Sequence, residues 1–156
     1  MKLLVFSDSH GRRDLMEKAL AKEEGKEKKP DGILFAGDGL ADALAYREGR
    51  SVFYAVAGNC DSAREGAGLE AVFTLQGLTI YLCHGHRWHV KMGTQRLLYR
   101  AQEVGAQVAI YGHTHRQKAA SHNGVLLLNP GALEAGKYAV LKLPKEGPPE
   151  VKLKEL

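Results

Sequence analysis

The chain has 156 residues, 44% of them hydrophobic and 26% charged, with a formal net charge of +4. This is the length and make-up of one globular domain over residues 1–156 with a real core, and it excludes a low-complexity chain. The mild basicity suits phosphate-bearing partners, but no dense Lys/Arg stripe with interleaved aromatics is present, so nucleic acid is not the default partner.

Residues 2–7 form a continuous apolar run of strand length, the pattern of a strand buried on both faces. The run meets Asp8 within a few residues, too soon for a signal peptide and far too short to span a bilayer, so we expect no membrane association and a cytoplasmic protein. It stops at the polar turn Asp8-Ser9-His10-Gly11. Residues 12–24 follow as a helix, with Leu15, Met16, Ala19 and Leu20 on one face. The charge run at 25–32 reads as a solvated loop. A second apolar run at 33–36 ends at Gly37-Asp38-Gly39, a short helix is predicted over 40–48, and a third run at 52–57 ends at Gly58-Asn59-Cys60-Asp61. Alternating strand and helix is the pattern of a parallel α/β unit.

The middle changes character. Residues 62–68 read as a Gly-rich loop, and strands at 70–75 and 78–82 flank Gln76-Gly77 as a tight hairpin. The second of these runs into Cys83-His84-Gly85-His86. A loop at 87–93 carries Trp88 and His89; ordinary packing of Trp88 and one wall of a cleft are both open readings. A helix over 94–103 has Thr94 at its N-cap. A strand at 108–111 ends at Gly112-His113-Thr114-His115, and strands are predicted at 118–122, 125–128 and 138–143, the first two joined by Asn123-Gly124. Residues 150–154 alternate as an edge strand. The two cysteines, Cys60 and Cys83, make no disulfide framework.

Five apolar runs therefore end in a small polar turn bearing a residue that can ligate a metal: Asp8 and His10, Asp38, Asn59, His84, and His113 with His115. In α/β sheets, sites form beyond the carboxyl ends of strands, so all seven could converge on one rim. Each turn also has an ordinary reading: Asp8-x-His10 as a helix cap, Gly37-Asp38-Gly39 and Gly58-Asn59 as turn dipeptides, His84-Gly85-His86 as a surface corner. Taken together, seven ligand types on five strand ends point to a metal site.

The order Asp-x-His, Gly-Asp, Gly-Asn, His and Gly-His-x-His resembles the calcineurin-like metallophosphoesterase superfamily. Gly58-Asn59-Cys60-Asp61, Cys83-His84-Gly85-His86, Tyr111-Gly112-His113-Thr114-His115 and Asn129-Pro130-Gly131 resemble its small bacterial and archaeal phosphodiesterase branch. The resemblance implies an α/β (mixed α+β) fold, a β-sandwich of two mixed sheets flanked by helices. It also implies a phosphodiesterase using two divalent metal ions: Asp8, His10 and His115 hold the first, Asn59, His84 and His113 the second, and Asp38 bridges both. Oxygen and imidazole donors suit Mn first, with Ni, Fe or Zn as alternatives. Two ions ~3.5–4 Å apart can activate a bridging hydroxide for in-line attack on phosphorus and clamp the entering and leaving oxygens.

Many superfamily members have Gly-Asn-His where this chain has Cys60. A thiol with a reference pKa of ~8.5 is a weak general acid, so Cys60 is a candidate proton donor of limited strength, with His86 and Asp61 as other candidates. The same three residues are candidate substrate contacts, and Arg12, Arg64 and Arg116 follow ligand turns and could meet phosphate oxygens. The expected substrate is a small phosphodiester or nucleotide, and a homo-oligomer, a dimer, is implied only by the resemblance. A protein-interaction scaffold on the same fold and a nuclease are the competing readings.

Overall fold

The computed structural model describes residues 1–62 and 67–156. The expectation that Arg64 meets phosphate, and most of the predicted 62–68 loop, lie outside the described residues.

The first five strands and two helices are β1 (Lys2–Phe6), α1 (Arg13–Glu24), β2 (Gly32–Phe35), α2 (Leu40–Leu44), β3 (Val52–Ala55), β4 (Glu70–Leu75) and β5 (Leu78–Cys83). They are followed by α3 (Gln95–Glu103), β6 (Val108–Ile110), β7 (Lys118–His122), β8 (Val125–Asn129), β9 (Lys137–Lys142) and β10 (Glu150–Glu155). One sheet has the order β10-β9-β1-β2-β3 and the other β4-β5-β6-β8-β7. Within each sheet three strands run parallel, β1-β2-β3 and β5-β6-β8, and antiparallel strands close the rest. The two sheets are mixed, as expected.

The apolar runs are continuous because both faces of each central strand are covered. In β1, Leu3 and Val5 point into the space between the sheets, where they meet Leu34, Ile80, Leu82, Val108 and Ile110. Leu4 and Phe6 point the other way, against Met16, Ala19 and Leu20 of α1. The same alternation places Tyr81, Ala109 and Leu127 under Leu97, Leu98 and Ala101 of α3. The result is a helix–sheet–sheet–helix stack. At its edge, the rings of Tyr54 on β3 and Phe73 on β4 stack 3.6 Å apart between the sheets. No helix among the described residues is long and apolar enough to cross a membrane.

Local departures from the expected elements have simple causes. Helix α2 stops at Leu44 instead of residue 48, and β3 stops at Ala55, where the chain peels off toward the Gly58 turn. The 87–93 loop contains two 3-10 turns, His86–Trp88 and Val90–Met92. Thr94 occupies the N-cap position of α3, but its side chain makes no capping bond. Both predicted hairpins form, with Gln76-Gly77 and Asn123-Gly124 at positive φ, as two-residue turns require.

One charge is buried well away from the strand ends. Lys2, 4% exposed, meets Glu23, 1% exposed, at 3.0 Å. Glu23 also accepts from the Tyr138 hydroxyl at 2.9 Å and from Lys26 Nζ at 2.6 Å. Burial opposes its ionisation, but these donors outweigh it and hold the carboxyl down to about 2.

Candidate metal centre

Strands β1, β2 and β3 end on the same rim as β5 and β6, and the turns beyond them face one another across the sandwich. Asp8, at the end of β1, is fully buried, which sets aside its reading as a surface helix cap. Helix α1 begins after Arg12 with no side-chain cap at all. Asp8 Oδ2 instead accepts from Ser7 Oγ and from the backbone N–H of His113 at 3.1 Å. Its other oxygen, Oδ1, is buried with no hydrogen-bond partner among the described residues and faces three imidazole nitrogens: His115 Nε2 at 3.1 Å, His10 Nε2 at 3.6 Å and His84 Nε2 at 3.8 Å.

His84, fully buried, is no surface corner. Its Nδ1 lies 2.7 Å from the Ala36 carbonyl, which calls for a proton on Nδ1 and leaves Nε2 as a lone-pair donor. Nε2 sits 3.2 Å from Asp38 Oδ2 and lacks a hydrogen-bond partner. Burial pushes the His84 pKa down, but the close approach of Asp38 Oδ2 and the charges of Asp8 and Asp38 outweigh it, for a net rise. Asp38 moves the opposite way: burial favours its neutral form, and His84 and the Cys60 N–H, 2.9 Å from Oδ1, more than offset that and hold it well below the carboxylate range.

Ligand-type atoms gather in three overlapping sets, each within 4.8 Å: Asp8, His10 and His115; Asp38, His84 and His113; and His10, Asp38 and Cys60. With metal–ligand bonds of about 2.1 Å, neighbours in one coordination shell stand roughly 3.0–3.4 Å apart, close to the separations found here. Orphaned, buried acceptors on Asp8 and His84 aimed at one another fit a divalent ion in both chemistry and spacing. The described residues thus bring six of the seven expected ligands together. Asn59 stands in the exposed turn beside them, its Nδ2 directed at Cys60 Sγ at 3.5 Å.

The backbone is bent to do this. Among the described residues eight non-glycine positions have positive φ, and five of them are Asp8, His10, Asp38, His113 and His115. A left-handed conformation costs a non-glycine residue roughly 1–2 kcal/mol, and such strain concentrates at functional sites. The glycines permit close approach: a Cβ on Gly112 would overlap Ser7 Oγ, and one on Gly58 would overlap Asp38 Oδ1.

Four further residues hold these turns, and two of them, Asp42 and Glu134, lie outside the motifs read in the sequence. Asp42 Oδ2 accepts from Ser9 Oγ at 2.6 Å and from the Gly11 N–H at 3.0 Å. Buried Asn129 donates to the Gly112 carbonyl at 3.1 Å and to Thr114 Oγ1 at 3.0 Å. Glu134 stands 3.5 Å behind His115 Nδ1, an outer carboxylate of the kind that orients ligating histidines. Asp61 corrects an expectation: it is no free proton donor or substrate contact. Its carboxylate accepts from four backbone N–H groups, those of Asp38, Gly39, Leu40 and Gly58, at 2.8–3.0 Å. All its lone pairs are committed to clamping the Asp38 turn to the Gly58 turn.

Other candidates separate clearly. Cys60 is exposed, and its sulfur belongs to one of the ligand-type sets; burial and then the charge of Asp38 push its thiol pKa up, keeping it protonated. His86 lies beside the cluster, its ring 5.5 Å from that of His84 and 6.2 Å from that of His113, and burial and the neighbouring His84 lower its pKa. Arg12 turns away to pair with Asp14 at 2.9 Å. Trp88 is half-buried and donates to the Tyr81 hydroxyl at 2.8 Å, a packing role.

A sandwich with carboxylates and imidazoles converging at its strand ends is the architecture of a metal-dependent hydrolase. The profile of the Calcineurin-like phosphoesterase superfamily domain matches residues 1–144, and the chain belongs to that family. It is 32% identical over 150 residues to the Bacillus subtilis protein named "Probable metallophosphoesterase YsnB", covering 92% of this chain and 85% of that protein. An archaeal phosphodiesterase structure superposes with a TM-score of 0.78 over 100% of both chains at 22% identity. Vps29 from Entamoeba histolytica matches equally well, with a TM-score of 0.78 over 100% of this chain and 99% of that one at 18% identity. These last two likenesses bear on the fold alone.

Proposed function

We propose that the protein is a phosphodiesterase that works with two divalent ions, manganese in the first instance, on small phosphodiesters or nucleotides. The observation that carries this reading is the pair of adjoining ligand sets, Asp8/His10/His115 and Asp38/His84/His113, with Asp38 also within reach of His10 at 3.8 Å. Asp38 would bridge the ions, and Asn59 would complete the second set with a neutral oxygen. When bound, such ions supply an activated water nucleophile and neutralise charge on the phosphoryl oxygens.

The chain's own residues do the rest. Two carboxylates among neutral donors leave the loaded site electropositive, which favours an anionic diester. His84, fixed by Ala36, and Asp8, fixed by Ser7 and His113, hold the donor geometry before substrate arrives. Cys60, protonated and exposed next to Asp38, would give a proton to the departing oxygen, and His86 is the other candidate. A thiol is a weak acid at neutral pH, so diesters with good leaving groups should react best. With both cysteines free, we place the protein in the cytoplasm.

The scaffold reading is favoured only by the likeness to Vps29. All seven ligand positions here keep competent residues, which favours chemistry. A panel of phosphomonoesters, aryl diesters and cyclic nucleotides assayed with Mn, Ni, Zn and Mg decides between them. Turnover of diesters is expected, and no turnover by protein with metal bound would overturn the phosphodiesterase reading and favour the scaffold one.

A further inference from the structure

Beside the ligand turns lies a groove of about 710 Å³ whose lining includes Lys91, Thr94, Tyr111, Thr114, Arg116 and Lys118. One wall is the segment that carries His113 and His115, with Thr114 between them facing the groove. The other is the turn that follows His86. The volume falls in the range that holds a nucleotide-sized group. Its chemistry is one-sided. None of the lining residues among those described is acidic. Lys91, Arg116 and Lys118 are all exposed, and none of them forms an ion pair among the described residues.

Arg12 pairs with Asp14, Arg50 with Glu24 and Arg100 with Glu70, whereas Lys91, Arg116 and Lys118 all border one space that no carboxylate lines among the described residues. What distinguishes the groove is that three cations gather around one concave space with no acidic lining residue among those described. Thr114 is held rigidly as the shared wall, since Oγ1 accepts from the Arg116 N–H at 3.2 Å and from Asn129.

We propose that this groove is a second-phosphate subsite, so that the preferred substrate is a phosphodiester carrying an additional terminal phosphate on the group that enters it. The inference rests on the diester reading above and names its substrate class. With the scissile phosphorus at the His113 and His115 turn, a substituent on that side leads past Thr114 into the groove. A neutral substituent would leave three cations without counter-charge, whereas a dianionic phosphate engages them by charge-assisted hydrogen bonds.

The test compares the dinucleotide TpT with its 5′-phosphorylated form pTpT on the manganese-loaded protein. Both are assayed for kcat/KM, and their slowly hydrolysed phosphorothioate-linked analogues are measured for Kd by calorimetry. The phosphorylated form should be favoured about tenfold in both measures, and the ratio should fall to within about twofold in Lys91→Gln/Arg116→Gln/Lys118→Gln, while Lys91→Arg and Lys118→Arg keep it. If the triple variant does not fold, Lys91→Gln and Lys118→Gln alone should each lower the ratio about two- to threefold. A wild-type ratio near one, or a ratio that the glutamine variants leave unchanged, overturns the subsite. If no diester is cleaved, the phosphodiesterase reading fails, and the binding ratio still decides what the groove prefers.

Discussion

His84 Nε2 and Asp38 Oδ2 face each other at 3.2 Å inside the sandwich rim, while the other nitrogen of His84 is committed to the Ala36 carbonyl. A proton or a metal ion can join them, but not both. Metal binding must therefore displace the proton that the neighbouring carboxylates favour. Because the His84 pKa is raised, this proton is held above the ordinary imidazole value, and the ion pair stabilises the metal-free protein at low pH and is lost as pH rises through the raised value. His113 and His86, both lowered, offer no such competition near neutrality. We expect metal affinity to begin weakening above the free imidazole value of ~6.5 and to fall steeply below it, with up to about one proton released per protein on loading near pH 7. Calorimetry in buffers of different ionisation enthalpy measures both, and an affinity flat to well below pH 6 would count against histidine ligation.

The two histidines of the Gly112 turn serve different sets, His115 with Asp8 and His113 with Asp38 and His84. His113→Ala and His115→Ala should each retain about one of two ions, and a different one, by elemental analysis and anomalous scattering. Loss of the same ion from both variants would break the assignment.

Cys60 should matter only when the leaving group needs a proton. Cys60→Ala should slow an alkyl diester about tenfold or more and an aryl diester less than about twofold, and Cys60→His should speed the alkyl substrate. An unchanged alkyl rate in Cys60→Ala removes the thiol from the mechanism.

Asp61 is a clamp. Asp61→Asn replaces an acceptor oxygen with a donor against backbone N–H groups, so roughly 2–3 kcal/mol of stability should go, and metal affinity with it. Denaturant unfolding and metal titration check both. Intact stability with lost activity alone would instead mark a direct catalytic role.

Far from the rim, Glu23 sets an acid limit. Its carboxyl is depressed to about 2 from a usual 4.5, so its contribution is present above pH ~4.5 and lost as pH falls through about 2. Glu23→Gln should cost roughly 2–3 kcal/mol at neutral pH, with Lys2 keeping the Lys28 carbonyl but left buried without a counter-charge, and should flatten the acid limb of the stability curve. A variant with the wild-type acid limb would place the limit elsewhere.

The strand ends were legible because apolar runs bounded by Gly-Asp, Gly-Asn and Gly-His announce both a buried strand and a sharp turn. The two hairpins were legible from Gln76-Gly77 and Asn123-Gly124. What a linear reading misses is long-range. Nothing next to Asp61 shows that it will bind the backbone of Asp38, nor does anything beside Asn129 point to Gly112. The positive φ of Asp8, His10 and Asp38 is equally hidden, since aspartate and histidine are ordinary in right-handed conformations and nothing beside them in the sequence demands the left-handed one. Arg12 was read toward phosphate because it follows a ligand turn, but Asp14, two residues on, is the nearer charge.

Asp8 and Asp38 come from one sheet, His84, His113 and His115 from the other. An ion held between Asp8 and His115 is thus a cross-link between two chain segments far apart in sequence. Like a disulfide, it would restrict the unfolded chain by closing a long loop. The sandwich would be zipped at its rim by the same ions that do the chemistry, so that losing them loosens the seam between the sheets as well as the catalytic centre.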